Sequence, residues 1–197
     1  MLPLITEFDL PDAELVLYDS FFTQQESDAL YRNLKEKIEW QQDQIKIYGK
    51  QHRVPRLAAW CDLKHRPFAY SGISMRSHSW ISELSFIKEK VEAEVDYQFT
   101  SVLLNFYRDG KDSVGWHSDD EKELGKNPVL ASVSFGETRP FQLRHSCRKE
   151  LDKVDIPLSH GSFLLMKGTT QHFWKHQIPK TSRSIAPRIN LTFRILK

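Results

Sequence analysis

The sequence predicts an α+β chain in which helices pack outside an antiparallel barrel or double-sheet jelly roll. Three observations carry this expectation. Helical periodicity is confined to about the first hundred residues. Short β-type runs then follow one another, cut by Gly, Pro, Asn and Asp. The last of these runs alternates between polar and apolar residues with period two. One domain is expected for 197 residues, a length that can bury a substantial core. The helices fall in about residues 1–100 and the sheet core in about 101–197.

In chain order, "MLPLITEFDLPDAELVLYDSFF" has no basic leading region, and Glu7, Asp9, Asp12 and Glu14 break its apolar residues. Neither a secretion signal nor a membrane span is expected. "FTQQESDALYRNLKEKIEW" reads as a helix. Thr23 and Glu26 have capping-box spacing, and Leu30, Leu34 and Ile38 recur at helical intervals. A second helix is expected in "SWISELSFIKEKVEAEV", capped by Ser79, with Leu84, Ile87, Val91 and Val95 on one face. The strands expected after residue 100 are "SVLLNFY", "VLASVSF", "PFQLR", "KVDIPL", "SFLLMKG", "HFWKHQI" and "RINLTFRI".

A formal net charge of +2 gives no global field that would draw in nucleic acid, so any such surface must be a local patch. Residues 46–66 supply one candidate: Lys46, Lys50, Arg53, Arg56, Lys64 and Arg66 stand against a single acid, Asp62. Cys61 and Cys147 are too few for a disulfide framework or a cysteine zinc site. Ordinary thiols in a reducing, cytoplasmic compartment are expected, or a nuclear one if the source is eukaryotic.

The chemistry concentrates in the second half. In "GWHSDDE", His117 and Asp119 are two apart, a spacing that puts both side chains on one side of an extended strand. A two-histidine, one-carboxylate metal site needs a further histidine from a distant strand. His145, His160, His172 and His176 are the downstream candidates, and spacing alone does not separate His172 from His176. In "RINLTFRI", Arg188, Asn190, Thr192 and Arg194 share one face and Ile189, Leu191, Phe193 and Ile195 the other. A solvated polar face is the plainer reading of that pattern. Yet two arginines about 20 Å apart along a strand can reach toward each other and bracket a small dianion. In "LLNFY", Leu103, Asn105 and Tyr107 share a face and offer an amide and a phenol.

Taken together, "NFYRDG", "WHSDDE", "ASVSFG", "HGSFLLM", "HFWKHQIP" and "PRINLTFR" resemble the AlkB family of iron(II)- and 2-oxoglutarate-dependent dioxygenases, particularly its nucleic-acid demethylases. The likeness runs from about residue 45 to the end. It implies a double-stranded β-helix, the jelly roll of that family. It further implies Fe(II) held by His117, Asp119 and His176, the last chosen by its "HQIP" context. Arg188 would hold the distal carboxylate of 2-oxoglutarate, with Asn105, Tyr107, Thr192 and Arg194 completing the pocket and Asn190 in the same motif. O2 is the second cosubstrate. The activity implied is oxidative demethylation of 1-methyladenine and 3-methylcytosine in DNA or RNA, coupled to 2-oxoglutarate decarboxylation and releasing formaldehyde.

On the substrate side, Asp120 and Glu121 would favour a cationic methylated base over its neutral counterpart. A duplex base cannot reach a buried iron, so single strands or base flipping are required. "YGK" reads as a hairpin tip of nucleotide recognition: Gly49 permits the turn, Tyr48 offers a stacking face and Lys50 meets phosphate. "FAYSG" resembles the segment lining the base pocket in relatives, which makes Phe68 an aromatic wall and Ser71 a contact. Arg144, Arg148 and Lys149 in "LRHSCRK" offer a second phosphate contact. A monomer is expected. The competing readings are a hydroxylase of a protein or small molecule and an inactive nucleic-acid-binding module.

Overall fold

The structure is a computed structural model that describes residues 3–47, 49–70 and 73–197. Strands β1 (Leu4–Phe8) and β2 (Glu14–Asp19) precede helix α1 (Gln24–Lys37). Next come the hairpin β3 (Gln44–Ile47) and β4 (Lys50–Arg53), then β5 (Leu57–Asp62), β6 (Phe68–Tyr70), β7 (Ile73–Met75) and β8 (Ser77–His78). Helix α2 (Ser82–Glu94) leads into β9 (Ser101–Tyr107), β10 (Val114–His117), β11 (Leu130–Gly136), β12 (Arg139–His145), β13 (Val154–Leu158) and β14 (Ser162–Lys167). The short helix α3 (Thr170–Phe173) and strands β15 (Trp174–Ile178) and β16 (Arg188–Arg194) finish the chain.

Two sheets make the body. The major sheet has the order β1-β2-β14-β11-β16-β9-β5-β8, and the minor sheet β10-β15-β12-β13. This is a jelly roll with helices outside, as the sequence predicts. The division at residue 100 is not a division of the sheet, however. β1, β2, β5 and β8 all come from the first hundred residues and complete the major sheet on both flanks. Acidic interruptions hide β1 and β2 from a search for alternating runs, because their outward positions carry Glu7 and Glu14. No helix among the described residues is long and apolar enough to cross a membrane.

The core lies on both faces of the major sheet. On one, Leu30 and Leu34 of α1 and Leu84, Ile87 and Val91 of α2 pack on Leu104, Val133, Leu191 and Phe193. On the other, Leu103, Leu130 and Leu164 meet Phe141, Leu143, Ile156 and Trp174 of the minor sheet. β16 is therefore buried along its whole length. Its alternation separates an apolar core from a polar interior, not a core from water.

Helix α1 starts where its capping box says: Thr23 Oγ1 accepts from the Glu26 N–H, and the Thr23 N–H donates to the Glu26 carboxylate. For α2 the predicted cap is corrected. Ile81 occupies the cap position with extended backbone and no side-chain bond, and Ser79 stands two residues too early to reach the first turn. "HFWKHQI" is likewise corrected, because its first two residues close α3 and the strand begins at Trp174.

Asp62, at the end of β5, gives the fold a measurable pH dependence. Burial alone would raise its carboxyl, but hydrogen bonds from the Arg66 side chain and from the Arg66 and Lys64 N–H groups hold it below its ordinary value. A depressed folded value stabilises the fold above the unfolded pKa of about 3.9, and the contribution fades as pH falls through the folded value. Thermal melts of Asp62→Asn are expected to lie below wild type near about pH 7, with the gap narrowing below about pH 3. A constant gap across that range would show that the ion pair contributes nothing.

Candidate active site

A cavity of about 420 Å³ opens between the two sheets. β9 and β16 supply Asn105, Tyr107, Arg188, Asn190, Thr192 and Arg194 from the major sheet. β10, the loop after it and β15 supply His117, Asp119, Asp120, Glu121 and His176. In the register, Arg188 faces Tyr107 and Asn190 faces Asn105 on the neighbouring strand. His117 pairs directly with His176 after a bulge that follows Val114.

These pairings bring three potential metal ligands together. One donor atom each from His117, Asp119 and His176 lies within 4.8 Å of the others. Asp119 falls beyond the end of β10, so a shared strand face is not what brings it to the histidine. Its backbone N–H donates to Gln171 Oε1 at 2.9 Å, and the Ser118 hydroxyl donates to the Trp174 carbonyl at 3.1 Å. Together these bonds fold the loop back onto α3 and β15. His117 Nδ1 lies 2.8 Å from the Gly115 carbonyl. A carbonyl only accepts, so Nδ1 carries the proton and Nε2 keeps its lone pair for a metal. His176 stacks on Phe141. Burial lowers it to about 3, which keeps it the neutral imidazole that ligation requires. For Asp119, burial raises the carboxyl, but the neighbouring Arg194 guanidinium leads the interactions that hold it low. Arg194 Nη2 sits 3.1 Å from its Oδ1.

The arginines are placed for an anion. Arg188 is 1% exposed, donates to Ser134 Oγ and lies over the Tyr107 ring, and burial lowers it to about 10. Its Nε and Nη1, and the Nε and Nη1 of Arg194, are buried with no hydrogen-bond partner among the described residues. Unpaired buried guanidinium donors are costly, and a small dicarboxylate would satisfy both sets. The residues present thus fit both a divalent metal of the two-histidine, one-carboxylate kind and a dianion beside it. Asn190 and Thr192 are engaged with their surroundings. Asn190 donates to Ser132 Oγ and the Val133 carbonyl, and Thr192 donates to Asn190.

Of the lining acids, Asp120 is exposed, while Glu121 buries an oxygen that has no hydrogen-bond partner among the described residues. Desolvation raises Glu121, and Arg194 offsets only part of that rise. Trp116 also lines the cavity, with the Arg144 guanidinium 4.3 Å from its ring. The hairpin tip is as predicted at Gly49 (φ +80°) and Lys50, both exposed, whereas Tyr48 and Ser71 lie outside the described residues.

Several expectations are corrected. Phe68 is not among the described residues that line the cavity. It is 1% exposed, stacked on Trp60, with Arg194 over its ring, so it supports that guanidinium from behind. Arg56 and Arg66 leave the basic patch: Arg56 is buried in the cavity wall and Arg66 pairs with Asp62. Lys50, Arg53 and Lys64 remain exposed. His145, His160 and His172 lie outside the triad, next to Asp12, Asp28 and Asn127 respectively. Arg56, Trp116, Gln171, Ser132 and Ser134 were not anticipated as parts of the site. For the serines the alternation of "ASVSFG" is a usable signal, but nothing in the local sequence marks Gln171.

The fold and this donor set define a class, and comparison with known proteins agrees. Residues 14–194 match the family model described as the 2OG-Fe(II) oxygenase superfamily. Within it, the chain is 40% identical over 190 residues to the mouse alpha-ketoglutarate-dependent dioxygenase alkB homolog 3, a match covering 92% of this chain and 66% of the relative. It is 36% identical over 186 residues to the human DNA oxidative demethylase ALKBH2, covering 90% of this chain and 71% of that one. The solved structure of OsALKBH1 shares the fold, with a TM-score of 0.66 at 16% identity over 98% of this chain and 100% of that chain. The chain belongs to the AlkB family of iron(II)- and 2-oxoglutarate-dependent dioxygenases. It spans just under two thirds of the length of the alkB homolog 3 relatives.

Proposed function

We propose that the protein oxidatively demethylates N-alkylated bases such as 1-methyladenine and 3-methylcytosine in DNA or RNA. The observation that carries this reading is the polarity of one cavity. The unpaired donors belong to Arg188 and Arg194, which are buried in its wall, whereas the lining acids Asp120 and Glu121 are exposed and half-buried. The inner end suits an anionic cosubstrate and the outer end a cationic base.

His117, Asp119 and His176 would hold iron(II), which supplies the redox chemistry that activates O2 when bound. Arg188 binds the distal carboxylate of 2-oxoglutarate and fixes its reach, while Asn105 and Tyr107 add an amide and a phenol from the adjacent strand. In the balanced reaction, O2 and 2-oxoglutarate convert N–CH3 to N–CH2OH, with succinate and CO2 as products. The hydroxymethyl then leaves as formaldehyde, with a proton released to solvent, and the ring nitrogen is returned neutral. Asp120 and Glu121 lower the energy of a positively charged alkylated base relative to its repaired, neutral product, which favours release after turnover. Exposed Lys50 and Arg53 on β4 contact the phosphate backbone sequence-independently.

Aerobic turnover with Fe(II), ascorbate and 2-oxoglutarate on matched oligonucleotides carrying 1-methyladenine or 3-methylcytosine tests the reading. Equal succinate and repaired base, with a single- to double-strand ratio that sets the strand preference, is the expected result. Succinate without repair on any strand would overturn the nucleic-acid assignment.

A further inference from the structure

Arg56 stands where three parts of the site meet. It follows the β3–β4 hairpin after only Val54 and Pro55, and it is buried. Its Nε donates to Asn105 Oδ1 at 2.6 Å, and its Nη1 reaches the Ser113 carbonyl at 3.3 Å. The Ser113 N–H in turn donates to the Pro55 carbonyl at 2.8 Å. Residues 55 and 56 are therefore bonded in both directions to the residue that immediately precedes β10, the strand of His117. The hairpin base is closed by Val54 N–H donating to the Asp43 carbonyl, and the Asp43 carboxylate lies close enough to interact with the Arg56 charge.

We propose that Arg56 is a positioning residue for the cosubstrate. It fixes which end of the Asn105 carboxamide enters the cavity, and it ties that amide to the substrate hairpin. A carboxamide can rotate by half a turn at almost no steric cost, and the two orientations offer opposite polarity. Guanidinium only donates, so the oxygen of Asn105 must face Arg56 and its NH2 must face away, as a donor for the oxygens of a carboxylate or 2-oxo group. With Arg56 removed, Asn105 is free to present its carbonyl oxygen, which repels the same anion. The identity of that anion as 2-oxoglutarate rests on the function proposed above.

The test is calorimetric titration of 2-oxoglutarate into Zn(II)-loaded protein, a redox-inert state that reads binding apart from turnover. Arg56→Lys keeps the charge and loses the fork. It is expected to weaken binding at least about tenfold, the scale of a hydrogen bond to a charged group. Arg56→Lys combined with Asn105→Ala is expected to bind no more weakly than Asn105→Ala alone, because both changes remove one arrangement. Additive losses, or Arg56→Lys at wild-type affinity, would overturn the proposal. A second measurement needs no change at Arg56. The Asn105 side-chain amide protons, assigned by their disappearance in Asn105→Ala, should shift and exchange more slowly when 2-oxoglutarate binds the zinc form. Unmoved amide protons would also overturn it. Wild-type protein that binds no 2-oxoglutarate would defeat the proposed function itself, whereas binding that is indifferent to Arg56 defeats this inference alone.

Discussion

Asp119→Ala is expected to abolish turnover and to lower metal affinity by more than about a hundredfold. That bound comes from groups one shell further out, whose loss alone costs 10–100-fold. Asp119 is the only carboxylate in the triad, and its charge also neutralises the buried Arg194 at 3.1 Å. Removing it therefore has two effects. The metal loses its anionic ligand, and a guanidinium is left uncompensated in the interior, at a stability cost of about 3–5 kcal/mol. Asp119→Asn isolates charge from shape, since it keeps the shape and an oxygen donor while removing the charge from both the metal and Arg194. Metal titration followed by calorimetry, alongside thermal melts, reads both. Should Asp119→Ala retain stoichiometric metal binding and turnover, the triad assignment would be wrong.

Replacing Arg188 by Met is expected to raise the KM for 2-oxoglutarate by about 30-fold or more, with a smaller change in kcat. Truncating one partner of a buried, hydrogen-bonded charge pair costs about 2–5 kcal/mol. Arg188 is nearly inaccessible and holds two donors with no partner among the described residues, so no water shell is available to take over its role. The same variant should lose discrimination between 2-oxoglutarate and a 2-oxo acid lacking the distal carboxylate. A rise in KM that is equal for both acids would place the distal carboxylate elsewhere.

What was legible in the sequence was periodic or locally patterned. Arg188, Asn190, Thr192 and Arg194 announce a common face because strand geometry has a period of two, and that face is the cavity wall. Asn105 and Tyr107 follow by the same rule. Thr23 and Glu26 announce a helix start because both ends of the capping box lie within four residues. What was not legible depends on contacts between distant segments. Arg56 reads as part of a solvated basic run, and its pairing with Asn105 and Ser113, 49 and 57 positions on, makes it an interior residue. Phe68 has the composition of a pocket wall, yet Trp60 claims its face. Gln171 supports Asp119 from a four-residue helix that interrupts an expected strand. The resemblance carried the choice of His176 over His172. The structure gives the physical ground: one lies opposite His117 in the sheet ladder, and the other lies in α3 beside Asn127.

The division of the cavity between two sheets has a thermodynamic consequence. The two histidines of the triad project from the minor sheet, Asp119 from the loop after β10 and the two arginines from the major sheet, so the native state alone assembles the complete site. Ligands that bind only the native state displace the folding equilibrium by mass action, by about 2.7 kcal/mol at a hundredfold excess over Kd. For a chain of this size each kcal/mol is worth roughly 2–4 °C in Tm. Iron(II) and 2-oxoglutarate, on the function proposed above, would therefore each raise the Tm of the protein on binding, and removal of either would lower it.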